Sequence, residues 1–104
     1  IFINFWVKSE LRGFLQSQKN LFYPADLTHA IFHEANLKGA DLEGADLREA
    51  DLKGANLDGA DLKGAKNLTV GQLSKVKTLY NAKLDQELEK PLKEKYPDLF
   101  QKPD

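Results

Sequence analysis

Cysteine and methionine are both absent from the 104 residues, and tryptophan occurs only once. Without cysteine the chain can form no disulfide, and it offers no thiolate to a metal or to a substrate. The chain begins at Ile1 rather than at methionine, so we expect that a segment precedes it that was removed or lies outside this sequence.

Long hydrophobic runs and a dominant charge are also absent. The apolar start "IFINFWV" is far shorter than the roughly 20 residues of a membrane-spanning helix, so no transmembrane segment is expected in this chain. The formal net charge is −1, which gives no general attraction to nucleic acid. The charge is uneven along the chain: residues 25–64 hold nine acids and four bases, a net −5, whereas residues 1–24 and 65–104 each carry +2.

What the sequence does contain is a repeat of five residues, a period that fits neither a helix nor a flat strand. Residues 25–64 parse into eight pentapeptides: ADLTH, AIFHE, ANLKG, ADLEG, ADLRE, ADLKG, ANLDG and ADLKG. Ala opens every unit, the third position is Leu except at Phe32, and the second is Asp or Asn except at Ile31. The fifth position is Gly in five units, and the others have His29, Glu34 and Glu49.

Each unit directs a small and a large apolar side chain to the same side, two residues apart, as in a strand. Gly at the fifth position suits a tight corner, and Asp or Asn at the second can bond nearby backbone amides. Four such corners close a square, so we expect a solenoid with Ala and Leu inside. The predicted core is formed by the third-position residues Leu27, Phe32, Leu37, Leu42, Leu47, Leu52, Leu57 and Leu62.

The tandem A-[D/N]-L-x-x pattern resembles the pentapeptide-repeat family over 40 of the 104 residues. The resemblance implies a mainly β fold, a right-handed quadrilateral β-helix with four pentapeptides per coil, and hence about two coils. Residues 20 apart should then stack, which predicts ion pairs of Lys38 with Asp58 and of Glu43 with Lys63. The tail "LSKVKTLYNAKLDQELEKPLKEKYPDLF" is similar to tails of many cyanobacterial members. The compartments that remain open are the cytoplasm and, after loss of an upstream signal, a periplasm or thylakoid lumen.

Two coils would expose unpaired edges at both ends, which solenoids cover with caps. We therefore expect a single domain with an N-terminal helical cap over residues 1–24, a β-helix over 25–65 and a C-terminal helical cap over 66–104. Trp6 and Phe14 would lie on the apolar face of the helix expected in the N-terminal cap. They either pack on the coil or form a binding patch.

The C-terminal cap has recognisable helix signals. Thr69 and Gln72 have the spacing of a capping box, which predicts a helix beginning just after Thr69. Asp85 is expected to cap a second helix, which Pro91 should interrupt or restart and which Tyr96 should end.

No set of residues in the sequence indicates catalysis, and no cofactor is expected. His29 and His33 are four apart but fall on different sides of the proposed coil, so they are interpreted as surface residues rather than metal ligands. No phosphate-binding loop is present, because the recurring glycines belong to the repeat. Turn formation explains the aspartates at the second position, which are Asp26, Asp41, Asp46, Asp51 and Asp61.

These features favour a non-catalytic structural or protein-interaction module with an unknown partner and a monomeric state. The charged residues Arg48, Asp51 and Lys53 on the repeat, together with Trp6 and Phe14, are the candidate interaction surface. A weaker possibility is an accessory or tethered domain of a larger protein.

The family also includes mimics of duplex DNA that bind type II topoisomerases, and the acidic repeat is compatible with that alternative. Length argues against it, because two coils at about 4.8 Å each span only about 10 Å. That length corresponds to about three base pairs of duplex at about 3.4 Å each.

Overall fold

The structure, a computed structural model, describes residues 25–103. The predicted N-terminal cap, with Trp6 and Phe14, lies outside the described residues. The helices of the described part are α1 at Val70–Leu73, α2 at Gln86–Lys95 and a 3-10 helix at Pro97–Phe100.

The repeats stack in parallel, with each residue placed on the one 20 positions later. The first coil (25–44) and the second coil (45–64) are joined by backbone hydrogen bonds such as Leu27 N–H to Asp46 C=O at 2.9 Å. This register is the one predicted from four pentapeptides per coil. Within the described residues the pairing consists of isolated bridges rather than strands, because a turn follows each bridging residue. The bridges between the two coils are Asp26–Asp46, Ile31–Asp51, Asn36–Asn56 and Asp41–Asp61.

The interior of the coils is filled by the first and third positions of the repeat. The eight third-position residues from Leu27 to Leu62 are at most 1% exposed, and the first-position alanines of both coils are at most 8% exposed. Burial of one leucine side chain contributes about 2 kcal/mol, so this column is the main apolar stabilisation of the fold.

Stacking continues beyond the eight repeats, so the described chain has three stacked coils rather than the expected two or so. Lys66 bridges to Asp46, Thr78 bridges to Asn56 and Lys83 bridges to Asp61. We call residues 65–85 the third coil. The sequence hides it because neither Thr78 nor Lys83 is an Asp or Asn, although buried Leu79 and Leu84 occupy the leucine positions. The domain boundary expected at residue 65 remains a prediction, but the stacking passes through it.

Helix α1 replaces one side of the third coil. This side is two residues longer than the five residues of a repeat. As predicted, the Thr69 hydroxyl accepts a hydrogen bond from the Gln72 N–H at 3.1 Å, and the Gln72 side chain accepts one from the Thr69 N–H at 2.9 Å. The helix ends after one turn, with Leu73 fully buried. The offset between stacked residues therefore grows from 20 to 22 at Thr78 and Lys83.

Helix α2 differs from the prediction at two points. Asp85 is at the N-cap position, but its side chain does not cap the helix. Its carboxylate instead accepts hydrogen bonds from Gly64 N–H at 3.1 and 3.2 Å, so it ties α2 to the second coil. Pro91 lies inside the helix rather than ending it, because packing of the fully buried Leu92 outweighs one lost backbone bond. The helix ends at Tyr96, as expected.

Candidate functional site

The polar side chains at the second position of the repeats form hydrogen bonds that stabilise the turns. In seven of the eight repeats its side-chain Oδ1 accepts a hydrogen bond from the backbone N–H two residues later, at 3.0–3.1 Å. The interpretation of these aspartates as turn residues is confirmed. The side chains involved are Asp26, Asn36, Asp41, Asp46, Asp51, Asn56 and Asp61.

These bonds also explain why like charges can stack. Asp26 lies over Asp46, and each accepts a backbone N–H that partly neutralises its charge. The Asn67 amide, which donates to Asp46 at 3.1 Å, and then the Arg48 N–H lower the pKa of Asp46. The pKa of Asp26 is lowered as well, by hydrogen bonds from Thr28.

Acid should therefore destabilise the protein partly through Asp46. Because its pKa is lowered from 3.8 in the fold, the ionised form contributes stability above about pH 4, which is lost as the pH falls below that value. Asp46→Asn keeps the oxygen acceptor of the turn but cannot titrate. We expect its melting temperature to fall less steeply between about pH 5 and pH 2 than that of the unmodified protein. Circular dichroism melts measure this, with Asp98→Asn as the control, and equal slopes for all three proteins would contradict the prediction.

The fifth positions form the corners, and all of them adopt the left-handed backbone conformation. The five glycines have φ of 69–71°, and His29, Glu34 and Glu49 have φ of 56–61° in the same place. A residue with a Cβ costs about 1–2 kcal/mol in this conformation. The three non-glycine corners flank the side of the coil that contains Ile31 and Asp51.

The candidate residues Arg48, Asp51 and Lys53 lie on the second coil. Arg48 C=O accepts from His29 N–H and Lys53 C=O accepts from Glu34 N–H, both at 2.8 Å, so their backbone is held by the first coil. All three side chains are exposed. Arg48 is on one side of the coil, and Asp51 and Lys53 are on the next, so the structure presents them around a shared corner rather than on one face.

The two histidines are not brought together as metal ligands in the part of the chain that is described. His29 Nδ1 lies 3.0 Å from Glu49 Oε2, its stacked neighbour at the same corner, and both side chains are about two-thirds exposed. His33 is exposed on the next side. Oxygens of Asp41, Glu43 and Asp61 lie within 4.8 Å of one another on another side, a proximity that follows from the 20-residue register.

The two expected ion pairs, Lys38 with Asp58 and Glu43 with Lys63, are not formed. The ion pairs within residues 25–103 are His29–Glu49 and, within α2, Lys93–Glu89 at 2.7 Å. The register itself is as predicted, since Gly39 N–H donates to Asp58 C=O. An exposed pair contributes only about 0–1 kcal/mol, too little to hold two long side chains together.

A groove of about 600 Å³ crosses the corner between two sides of the coil. Asn36 and Asn56 line it beside Ala35 and Gly54, and Glu34 and Lys77 supply its charges. The sequence did not indicate this groove, because Lys77 belongs to the third coil. The signal that could have revealed it is the degenerate repeat in "KTLYNAKL", where Asn81 takes the corner position.

No helix among the described residues is both long and apolar enough to cross a membrane. Comparison with protein families matches residues 30–66 to the family model described as pentapeptide repeats, in 8 copies. No curated protein matches the chain.

Proposed function

The chain carries a pentapeptide-repeat segment over residues 30–66, and from this premise we propose that it is a non-catalytic protein-interaction module. The proposed architecture is a right-handed, four-sided β-helix with caps at residues 1–24 and 66–104, acting as a monomer. Pentapeptide repeats generally form a right-handed β-helix and generally serve as non-catalytic modules. The cyanobacterial source suggested by the tail stays a prediction.

The observation that carries this proposal is that the backbone and the second-position side chains of the coil are hydrogen-bonded within the chain. Backbone N–H and C=O groups bond between coils at 2.7–3.2 Å, and the second-position side chains bond the turns. The exposed side chains that project from this backbone therefore stand on a rigid support, and rigid solenoid faces suit partner proteins. We assign the interaction surface to the corner formed by Arg48, Asp51 and Lys53.

Capture on immobilised protein tests this assignment. The double variant Arg48→Glu, Lys53→Glu changes the proposed surface, and Lys63→Glu, Lys83→Glu makes the same charge change on another side. We expect a specific protein from the source lysate to bind the unmodified chain and the second variant but not the first. Retention by both variants, or by neither, would contradict the assigned surface.

The alternative, a mimic of duplex DNA that binds a type II topoisomerase, gains little from the third coil. Three coils span about 14 Å, the length of about four base pairs. The third coil also adds Lys66, Lys75, Lys77 and Lys83, which oppose the acidity of the first two. Recovery of topoisomerase subunits in the capture experiment would favour this alternative.

A further inference from the structure

We propose that the groove lined by Glu34, Asn36, Gly54, Asn56 and Lys77 binds an extended peptide segment carrying one basic and one acidic side chain two residues apart. This inference rests on the proposed function and adds the chemistry of the partner. It is carried by three features of the groove: unpaired charges of opposite sign at its ends, oriented amide donors on its wall, and a glycine floor.

The two ends of the groove carry exposed charges that form no ion pair within residues 25–103. Glu34 lies on the first coil and Lys77 on the third, and neither side chain has an ion-pair or hydrogen-bond partner within residues 25–103. Lys77 is held at its backbone, where its N–H donates to Ala55 C=O at 2.9 Å. The Glu34 side chain lies over Gly54 of the second coil, about one coil spacing of 4.8 Å from the third coil, and it forms no ion pair with Lys77.

The wall between these ends has two oriented amides. Asn36 and Asn56 are stacked by a parallel bridge, and each uses its Oδ1 to accept a turn N–H at 3.0–3.1 Å. With the oxygen occupied, the NH₂ group of each amide remains as a donor. Two donors beside the groove suit the carbonyl groups of a peptide main chain.

The floor has room for the Glu34 side chain because residue 54 is glycine. A Cβ at Gly54 would lie 3.0 Å from Glu34 Cγ, so the Glu34 side chain passes directly over this position. Glu34 also adopts φ of 59° where five other corners have glycine. Its side chain thus carries a conformational cost without forming any hydrogen bond or ion pair in the described structure, which points to a role outside the chain.

The length and charge of the groove select the ligand. An extended peptide rises about 3.4 Å per residue, and residues two apart project to the same side. The first and third of three residues are therefore about 7 Å apart on one side of the peptide, which lets a basic side chain reach Glu34 and an acidic one reach Lys77. The interaction should weaken with salt, because exposed charges are screened.

Nuclear magnetic resonance titration with the peptide acetyl-Gly-Lys-Gly-Asp-Gly-amide tests this proposal. We expect the side-chain NH₂ signals of Asn36 and Asn56 to shift, and those of Asn67 and Asn81, which lie outside the groove, to stay in place. Acetyl-Gly-Lys-Gly-Lys-Gly-amide and acetyl-Gly-Asp-Gly-Asp-Gly-amide should bind more weakly, by about three- to fivefold each. Equal binding of the three peptides would overturn the proposal.

Matched variants separate the groove from general electrostatics. Glu34→Gly restores the common corner residue, and Glu49→Gly makes the same change at another corner, so both should fold at least as stably as the unmodified chain. Only Glu34→Gly should weaken peptide binding, again by about three- to fivefold. Lys77→Gln should do the same, whereas Lys83→Gln on another side should not.

The double reversal Glu34→Lys, Lys77→Glu is a further check, because the peptide can bind in the opposite direction. We expect each single reversal to lose binding and the double variant to recover it. Failure of the groove signals to shift at millimolar peptide would overturn the proposal. That outcome is distinct from failure of the proposed function, which capture of a protein through Arg48 and Lys53 tests separately.

Discussion

Replacing Leu57 with alanine is expected to lower the free energy of unfolding by about 3–5 kcal/mol. Leu57 is fully buried in the second coil, and its N–H donates to Thr78 C=O in the third. The register places Leu37 and Leu79 in the corresponding positions of the adjacent coils, and both are at most 1% exposed. Neighbours on both sides leave little freedom to collapse into the space, so most of the cavity should persist.

Urea denaturation followed by circular dichroism measures this cost. Leu88→Ala, a change of the same size at a half-buried position of α2, should cost clearly less. Lys53→Ala on the exposed surface should change stability by no more than about 0.5 kcal/mol. A loss below about 1 kcal/mol for Leu57→Ala would show that the interior is not closely packed.

Replacing Gln72 with glutamate is expected to cost about 2–3 kcal/mol, although only one NH₂ group becomes an oxygen. The Gln72 Nε2 donates to Leu47 C=O at 2.8 Å and to Ala50 C=O at 3.0 Å, which ties α1 to the second coil. Glutamate can still accept the Thr69 N–H of the capping box. It cannot donate when ionised, and it places a negative charge against two carbonyl oxygens.

Control variants separate the hydrogen bonds from Gln72 to the second coil from those of the capping box. Thr69→Ala removes the hydroxyl that accepts from Gln72 N–H and should cost about 1 kcal/mol. Gln86→Glu changes an exposed glutamine at the start of α2 and should be near neutral. The cost of Gln72→Glu should also shrink at low pH, where a protonated carboxyl can donate again. Unfolding curves for Gln72→Glu that overlay those of the unmodified protein would show that the Gln72 hydrogen bonds to the second coil do not stabilise the fold.

The core and the register could be predicted because one local rule repeats eight times. Ala and Leu alternate in each unit, and the bond from the second-position side chain to the next turn needs only neighbouring residues, as Asp51 and Lys53 show. Each unit therefore specifies its own corner. Stacking 20 residues apart then follows from closing four equal sides, as the Asn36–Asn56 bridge confirms.

The third coil could not be predicted from the same rule, because there long-range contacts replace the local signals. Lys77 stands at the sequence position of the repeat alanine but is exposed, and Thr78, whose hydroxyl accepts the Tyr80 N–H at 3.1 Å, takes the position of the aspartate. Asp85 has the sequence signature of a helix cap, yet Gly64 N–H, 21 residues earlier, competes for its carboxylate. The candidate groove is lined partly by the third coil, so it could not be predicted without predicting that coil.

The fixed offset between stacked residues also shapes how the chain can fold. Every bridge from Asp26–Asp46 to Asp61–Lys83 closes a loop of 20 or 22 residues, so beyond its local turns a coil cannot form its stacking backbone bonds before a neighbour exists. The entropy of loop closure is nearly the same at each step, because it varies only slowly with length. The first pair of coils is then the slow event, and each later coil adds to an edge already in place. The second coil bonds to both neighbours, so it belongs to whichever pair forms first.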